Sequence, residues 1–110
     1  MPEFSNPFQG NRCDRKLSPS EVVRAVRFNI AAEYEANQMY MQLAESTDNE
    51  LVQMVLKDIA DEELEHVGEL LRVLKEISPT DFDFYKEGGE EVEAMMKKLA
   101  ACLICSHLSR

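Results

Sequence analysis

Ser46-Thr47-Asp48-Asn49-Glu50 interrupts two long segments of helical periodicity, and its reading decides the fold. Thr47 is a capping residue type and Glu50 stands three positions after it, the pattern of a helix start. A turn this short predicts that the second helix runs antiparallel beside the first. Upstream, Val22, Val26, Ile30, Ala36, Tyr40, Leu43 and Ala44 recur at helical spacing with no glycine or proline after Pro19. Ser18-Pro19-Ser20-Glu21 supplies the start of that helix: a cap, a proline at the first helical position and a capping-box glutamate. Downstream, Leu51/Val52, Val55/Leu56, Ile59, Leu70, Val73/Leu74 and Ile77 predict a second helix over 48–77. Ser78-Pro79-Thr80 ends it, because proline disfavours helix at the residue before it.

The rest of the chain is read outward from this hairpin. Residues 1–17 carry Pro2, Pro7 and Gly10 and read as a disordered or partly ordered lead-in. Residues 18–78 form the hairpin, and 79–110 a connector with a C-terminal helix or tail. Gly88-Gly89 places the connector over 81–89, with a helix shorter than the other two over 90–105. No strand-like alternation occurs, so the expected class is all-α.

The chain has 110 residues, enough for one small domain, with 45% hydrophobic and 30% charged residues. Its net charge of −9 argues against nucleic acid and anionic membranes as partners and is compatible with cations. No apolar run is long enough to span a bilayer. The first residues lack the basic-then-apolar order of a secretory signal, so a cytoplasmic location is expected. Three cysteines give no disulfide framework.

What interrupts the two apolar stripes carries the chemistry. On the first helix, Val26, Ile30, Glu33, Asn37, Tyr40 and Ala44 share one narrow face, with Glu33 in its middle. Glu35 is rotated by about 200° from it and is expected to face outward. On the second helix, Val52, Leu56, Ile59, Glu63, His66, Leu70 and Val73 share a face. Glu62 lies on its flank, and Asp61 and Glu65 point away. Counted from the turn, Glu33 and Glu63 differ in height by only a few ångströms at about 1.5 Å per residue. A buried carboxylate needs a partner, and neither stripe offers lysine or arginine. A divalent or trivalent cation resolves the conflict, because it neutralises both acids and accepts a lone pair from imidazole. Carboxylate-bridged di-iron sites in helical bundles draw one Glu from each of two helices and Glu-x-x-His from each of two more. This chain has one of each, so it contains half a site. A symmetric dimer, closing into a four-helix bundle, would supply the other half.

Glu33-Tyr34-Glu35-Ala36-Asn37-Gln38-Met39-Tyr40, Ser46-Thr47-Asp48 and Asp61-Glu62-Glu63-Leu64-Glu65-His66 together resemble the encapsulated ferritins of the ferritin-like and rubrerythrin-like superfamily. The resemblance covers about residues 19–77. It implies a two-helix protomer whose dimer forms a di-iron ferroxidase centre, assembled into a ring, commonly a decamer. It implies oxidation of Fe(II) by oxygen and iron storage inside an encapsulin shell, a nanocompartment in the cytoplasm. On this pattern Glu33, Glu63 and His66 match the centre ligands and Tyr40 a tyrosine beside it. Glu35 matches an acid at an outer site through which metal enters, and Glu35 and Glu62 are the candidates for secondary metal sites. The family often has another acid where this chain has Ala32, and tryptophan where it has Met39. The family's shell-targeting tail is short and apolar, and 101–110 is the corresponding stretch here, without a flexible linker before it.

Two alternatives stay open on sequence. One is a rubrerythrin-like peroxide reductase, which usually adds an iron site built from two CxxC pairs, whereas this chain has one. The other is a non-enzymatic helical assembly whose acids hold a structural ion. Cys102-Leu103-Ile104-Cys105 with His107 reads as the edge of an apolar helix. Its alternatives are a redox pair or a metal half-site, which with Cys13 would make a three-Cys, one-His zinc site.

Overall fold

The computed structural model describes residues 14–108, all helix apart from the turns and the segment before Pro19. Three helices follow in order: α1 over Pro19–Glu45, α2 over Glu50–Ile77 and α3 over Pro79–Leu108. The described residues fall into two compact units, divided between Ile77 and Ser78.

The start of α1 is built as its sequence dictates. Ser18 Oγ accepts from the Glu21 N–H at 3.3 Å, and Glu21 accepts in return from the Ser18 N–H at 3.0 Å. Arg15 grips the same carboxylate with two bonds, at 2.8 and 2.9 Å. These bonds, Arg15 foremost and then the Ser18 N–H, lower the Glu21 pKa from 4.5 to about 2. At the far end the Ser46 N–H returns to the Leu43 carbonyl and its hydroxyl donates to Gln42 O, closing the last turn.

The turn then redirects the chain through side chains. Thr47 Oγ1 accepts from the Asn49 N–H at 3.2 Å, and Asn49 Oδ1 accepts from the Val52 N–H at 3.1 Å. Asn49 is therefore the working cap, and α2 begins at Glu50, two residues later than the sequence pattern placed it. Gln53 reaches back to the Thr47 carbonyl at 2.5 Å and ties the turn to α2.

α1 and α2 pack antiparallel, and the buried residues of the hairpin are few. Ala44 from α1 and Ala60, Val67 and Leu74 from α2 are 4% exposed or less. The α2 residues recur every seven positions, the spacing of a narrow seam between two helices. Where Ala60 removes bulk from the seam, Asn37 Nδ2 donates across it to the Ala60 carbonyl at 2.8 Å. This bond fixes the height of one helix against the other about one turn from Glu33 and Glu63.

The seam corrects one expectation. The stripe through Ile59, Glu63 and Leu70 is rotated by about 60–100° from the Ala60–Leu74 line. It flanks the buried seam, with Val52 37% and Val73 47% exposed. Two helices touching each other bury only a narrow strip of each, and the apolar face of α2 is wider than that strip.

The second unit corrects another. The stretch 81–89 is helical, and α3 runs unbroken for 30 residues, longer than α1 or α2. Ser78-Pro79-Thr80-Asp81 is both a stop and a start, built like Ser18-Pro19-Ser20-Glu21. Ser78 Oγ donates to Asp81 Oδ1 at 2.8 Å, and the Asp81 N–H donates to the Ser78 carbonyl at 3.1 Å. Tyr85 OH donates to Asp81 Oδ2 at 3.3 Å, and its ring stacks at a tilt on Phe82, centroids 4.9 Å apart. This anchored first turn carries the helix through Gly88-Gly89, each of which costs about 1 kcal/mol against alanine. No described helix is long and apolar enough to cross a membrane.

Candidate metal centre

Glu33 stands near the middle of α1, and Glu63 and His66 one turn apart near the middle of α2. The antiparallel pairing brings them together. Ligand atoms of all three lie within 4.8 Å of one another. His66 Nδ1 is 3.5 Å from Glu33 Oε2 and 3.5 Å from Glu63 Oε2. The side chains of Glu63 and Glu33 are 15% and 27% exposed, and that of His66 46%. Among the described residues His66 is the one basic side chain paired with either acid.

Position on the seam explains both the gathering and the exposure. Glu63 lies about 60° and His66 about 120° round α2 from Ala60. Glu63 is therefore at the edge of the helix contact, and His66 further out on the open flank. The donors point to a face that the hairpin itself leaves uncovered. Two oxygen donors and one imidazole suit a hard or borderline divalent cation and its trivalent state. Four or more ligands are usual for such ions, so one hairpin offers an incomplete set.

The other candidate residues lie apart from this group. Tyr40 is half-buried two turns along α1 and makes no hydrogen bond to the group among the described residues. Glu35 is half-buried rather than fully outward, and Glu62 is exposed beside Glu63; neither joins the group. Asp61 and Glu65 are exposed, as their angular positions require. Cys102, Cys105 and His107 are exposed on α3. Cys13 lies outside the described residues. Sequence reasoning placed Asn37 on the stripe but missed its bond to Ala60. The available signal was an amide side chain on an apolar face opposite a small residue.

An antiparallel hairpin with Glu on one helix and Glu-x-x-His on the next has the architecture of half a ferritin-like bundle. The family model described as Rubrerythrin matches residues 25–100, and the chain belongs to that family. It is similar to a ferritin-like-encapsulin shell fusion protein of Pyrococcus furiosus, 36% identical over 90 residues. That match covers 82% of this chain and 26% of the fusion protein, so the chain spans about a quarter of that relative. It is also similar to the encapsulin nanocompartment cargo protein EncC of Myxococcus xanthus, 33% identical over 91 residues, covering 83% of this chain and 68% of that one. Among solved structures it matches the crystal structure of the encapsulated ferritin domain from Pyrococcus furiosus, with a TM-score of 0.73 and 36% identity. That alignment covers 81% of this chain and 90% of the other.

Proposed function

We propose that this chain is a ferroxidase, oxidising Fe(II) with oxygen at a di-iron centre that two copies complete between them, for iron storage or detoxification inside an encapsulin shell. The observation that carries the reading is the Glu33–Glu63–His66 group on the uncovered flank of the hairpin. A second hairpin on that flank doubles the donors to four carboxylates and two imidazoles, the complement of a carboxylate-bridged di-iron site. The same flank exposes Val52 and Val73, apolar area that a second copy would cover. The names of the Pyrococcus and Myxococcus relatives support an encapsulin shell as a partner and its nanocompartment as the location. A ring of dimers, such as a decamer, is the assembly the family resemblance favours.

The donor set fits iron. Carboxylate oxygens stabilise Fe(III) more than Fe(II), which favours loss of an electron from each bound ion. Iron itself supplies the one-electron steps, two Fe(II) giving two electrons to oxygen. Glu63, the more enclosed acid, and Glu33 would each supply carboxylate oxygen to the iron, and His66, whose Nδ1 is 3.5 Å from both acids, would supply an imidazole lone pair. Asn37 holds the two helices at the height that keeps Glu33 opposite Glu63.

Aerobic Fe(II) oxidation by the purified chain, read beside metal content and sedimentation with and without Fe(II), tests this. Oxidation above the buffer control, lost in Glu63→Ala, is expected, with dimers or rings of dimers as the active form. A monomer that binds no iron, or a Glu63→Ala variant that matches the parent, refutes it. Peroxide turnover with a reductase, in place of oxygen consumption, would instead favour the peroxide-reductase reading that the Rubrerythrin match keeps in view.

A further inference from the structure

α3 carries a second ligand pair that the iron reading does not use. Cys102 and Cys105 are thiols, both exposed and one helical turn apart. Side chains at this spacing have Cβ atoms about 5–6 Å apart on one side of the helix. Metal–thiolate bonds of about 2.3 Å let one ion bridge sulfurs about 4.6 Å apart. Rotation of the two Cα–Cβ bonds closes that gap without unwinding the helix.

The neighbours of the pair decide which ion it takes. His107 follows Cys105 by two residues, about 200° round the helix, and lies about 140° from Cys102. Among the described residues no histidine, aspartate or glutamate joins the cysteines in a group of three. Zinc takes four ligands, so two thiolates on one helix leave it half-coordinated. A soft monovalent d10 cation is satisfied by two thiolates, and soft sulfur ligands select Cu(I). Exposed Leu99, Leu103 and Ile104 line the same end of α3.

We propose that Cys102 and Cys105 form a two-thiolate site for a soft monovalent cation of the Cu(I) type, held within one chain. The chain then sorts cations by ligand softness: hard ions go to Glu33, Glu63 and His66, soft ones to α3. The site stands independently of the ferroxidase reading.

The test uses the full chain carrying Cys13→Ser, reduced and anaerobic, titrated against the coloured Cu(I)–bicinchoninate chelate. One Cu(I) per chain is expected to be withdrawn from the chelate. Joining two ligands on one scaffold raises affinity by about 10²–10⁴ over either alone. Cys102→Ser and Cys105→Ser should each therefore weaken Cu(I) binding by about 100-fold or more, with circular dichroism unchanged. Glu63→Ala should bind Cu(I) like its parent, which separates this site from the carboxylate group. The proposal is overturned if no copper is withdrawn or if either serine variant matches the parent. Loss of binding in Glu63→Ala, or one copper per two chains, overturns it equally.

Discussion

Replacing Glu63 by glutamine should stabilise the metal-free protein and abolish its response to metal. Ligand oxygens of Glu33 and Glu63 lie within 4.8 Å. Two like charges at that separation repel by about 0.9 kcal/mol at the dielectric constant of water and about 3.5 kcal/mol at an effective value of 20. The side chains are only 27% and 15% exposed, which places the repulsion toward the upper half of that range, about 2–3 kcal/mol. Glutamine keeps the shape and removes the charge. The apo variant should melt about 4–8 °C higher per kcal/mol gained. Mn(II), a redox-quiet ion of similar ligand preference, should stabilise the parent by about 2.7 kcal/mol at a hundredfold excess over its Kd. In Glu63→Gln that increment should largely vanish. Thermal melts by circular dichroism, with and without Mn(II), read both effects. An apo variant that melts below the parent and still gains the full Mn(II) increment would show that the two acids are not a strained, metal-seeking pair.

Three further perturbations probe the scaffold. Asn37→Ala removes the 2.8 Å bond to the Ala60 carbonyl, which keeps its own helical partner, so urea unfolding should show a loss of only about 1 kcal/mol; a loss near zero would mean that this bond does not set the helix register. Gly88→Ala and Gly89→Ala add a methyl where no atom lies within 4 Å, and each should raise stability by about 1 kcal/mol, visible as a higher melting temperature of the far-ultraviolet signal. Glu21 has its pKa lowered from 4.5 to about 2, so it stabilises the fold fully above about 4.5 and loses that contribution as pH falls toward 2. Acid titration of Glu21→Gln should accordingly show a shallower decline than the parent over that window, and identical slopes would refute the linkage.

The helix pair was legible because its signals are local. Capping residues at Ser18, the short turn after Ser46 and the 3.6-residue spacing of apolar positions each act within a few residues. The long α3 was less legible for the same reason. Pro79 signals a stop, which it is for α2, while its second role depends on Ser78 and Asp81 together. Gly88-Gly89 then suggested a break that the anchored helix passes through. Propensity is a weak prior, and two glycines in a 30-residue helix are outweighed by the rest of it.

The candidate centre was legible for a different reason: acids on an apolar stripe are costly without a partner, and that cost shows in the sequence. What periodicity could not separate was the part of the stripe that packs within the chain from the part that stays open. Ala60, Val67 and Leu74 form the packed line, buried where α2 meets α1. Glu63 and His66 lie to one side of it. Had the acids stood on the packed line itself, the hairpin would have buried two carboxylates against aliphatic side chains with no room for an ion. Had they stood opposite, water would have solvated them and no cation would be needed. On the proposed reading, their place on the shoulder, half-enclosed by one hairpin, is where a metal ion and a second copy of the chain would each help to retain the other. Metal binding and self-association should therefore be linked in solution, and Glu63→Gln should weaken both together.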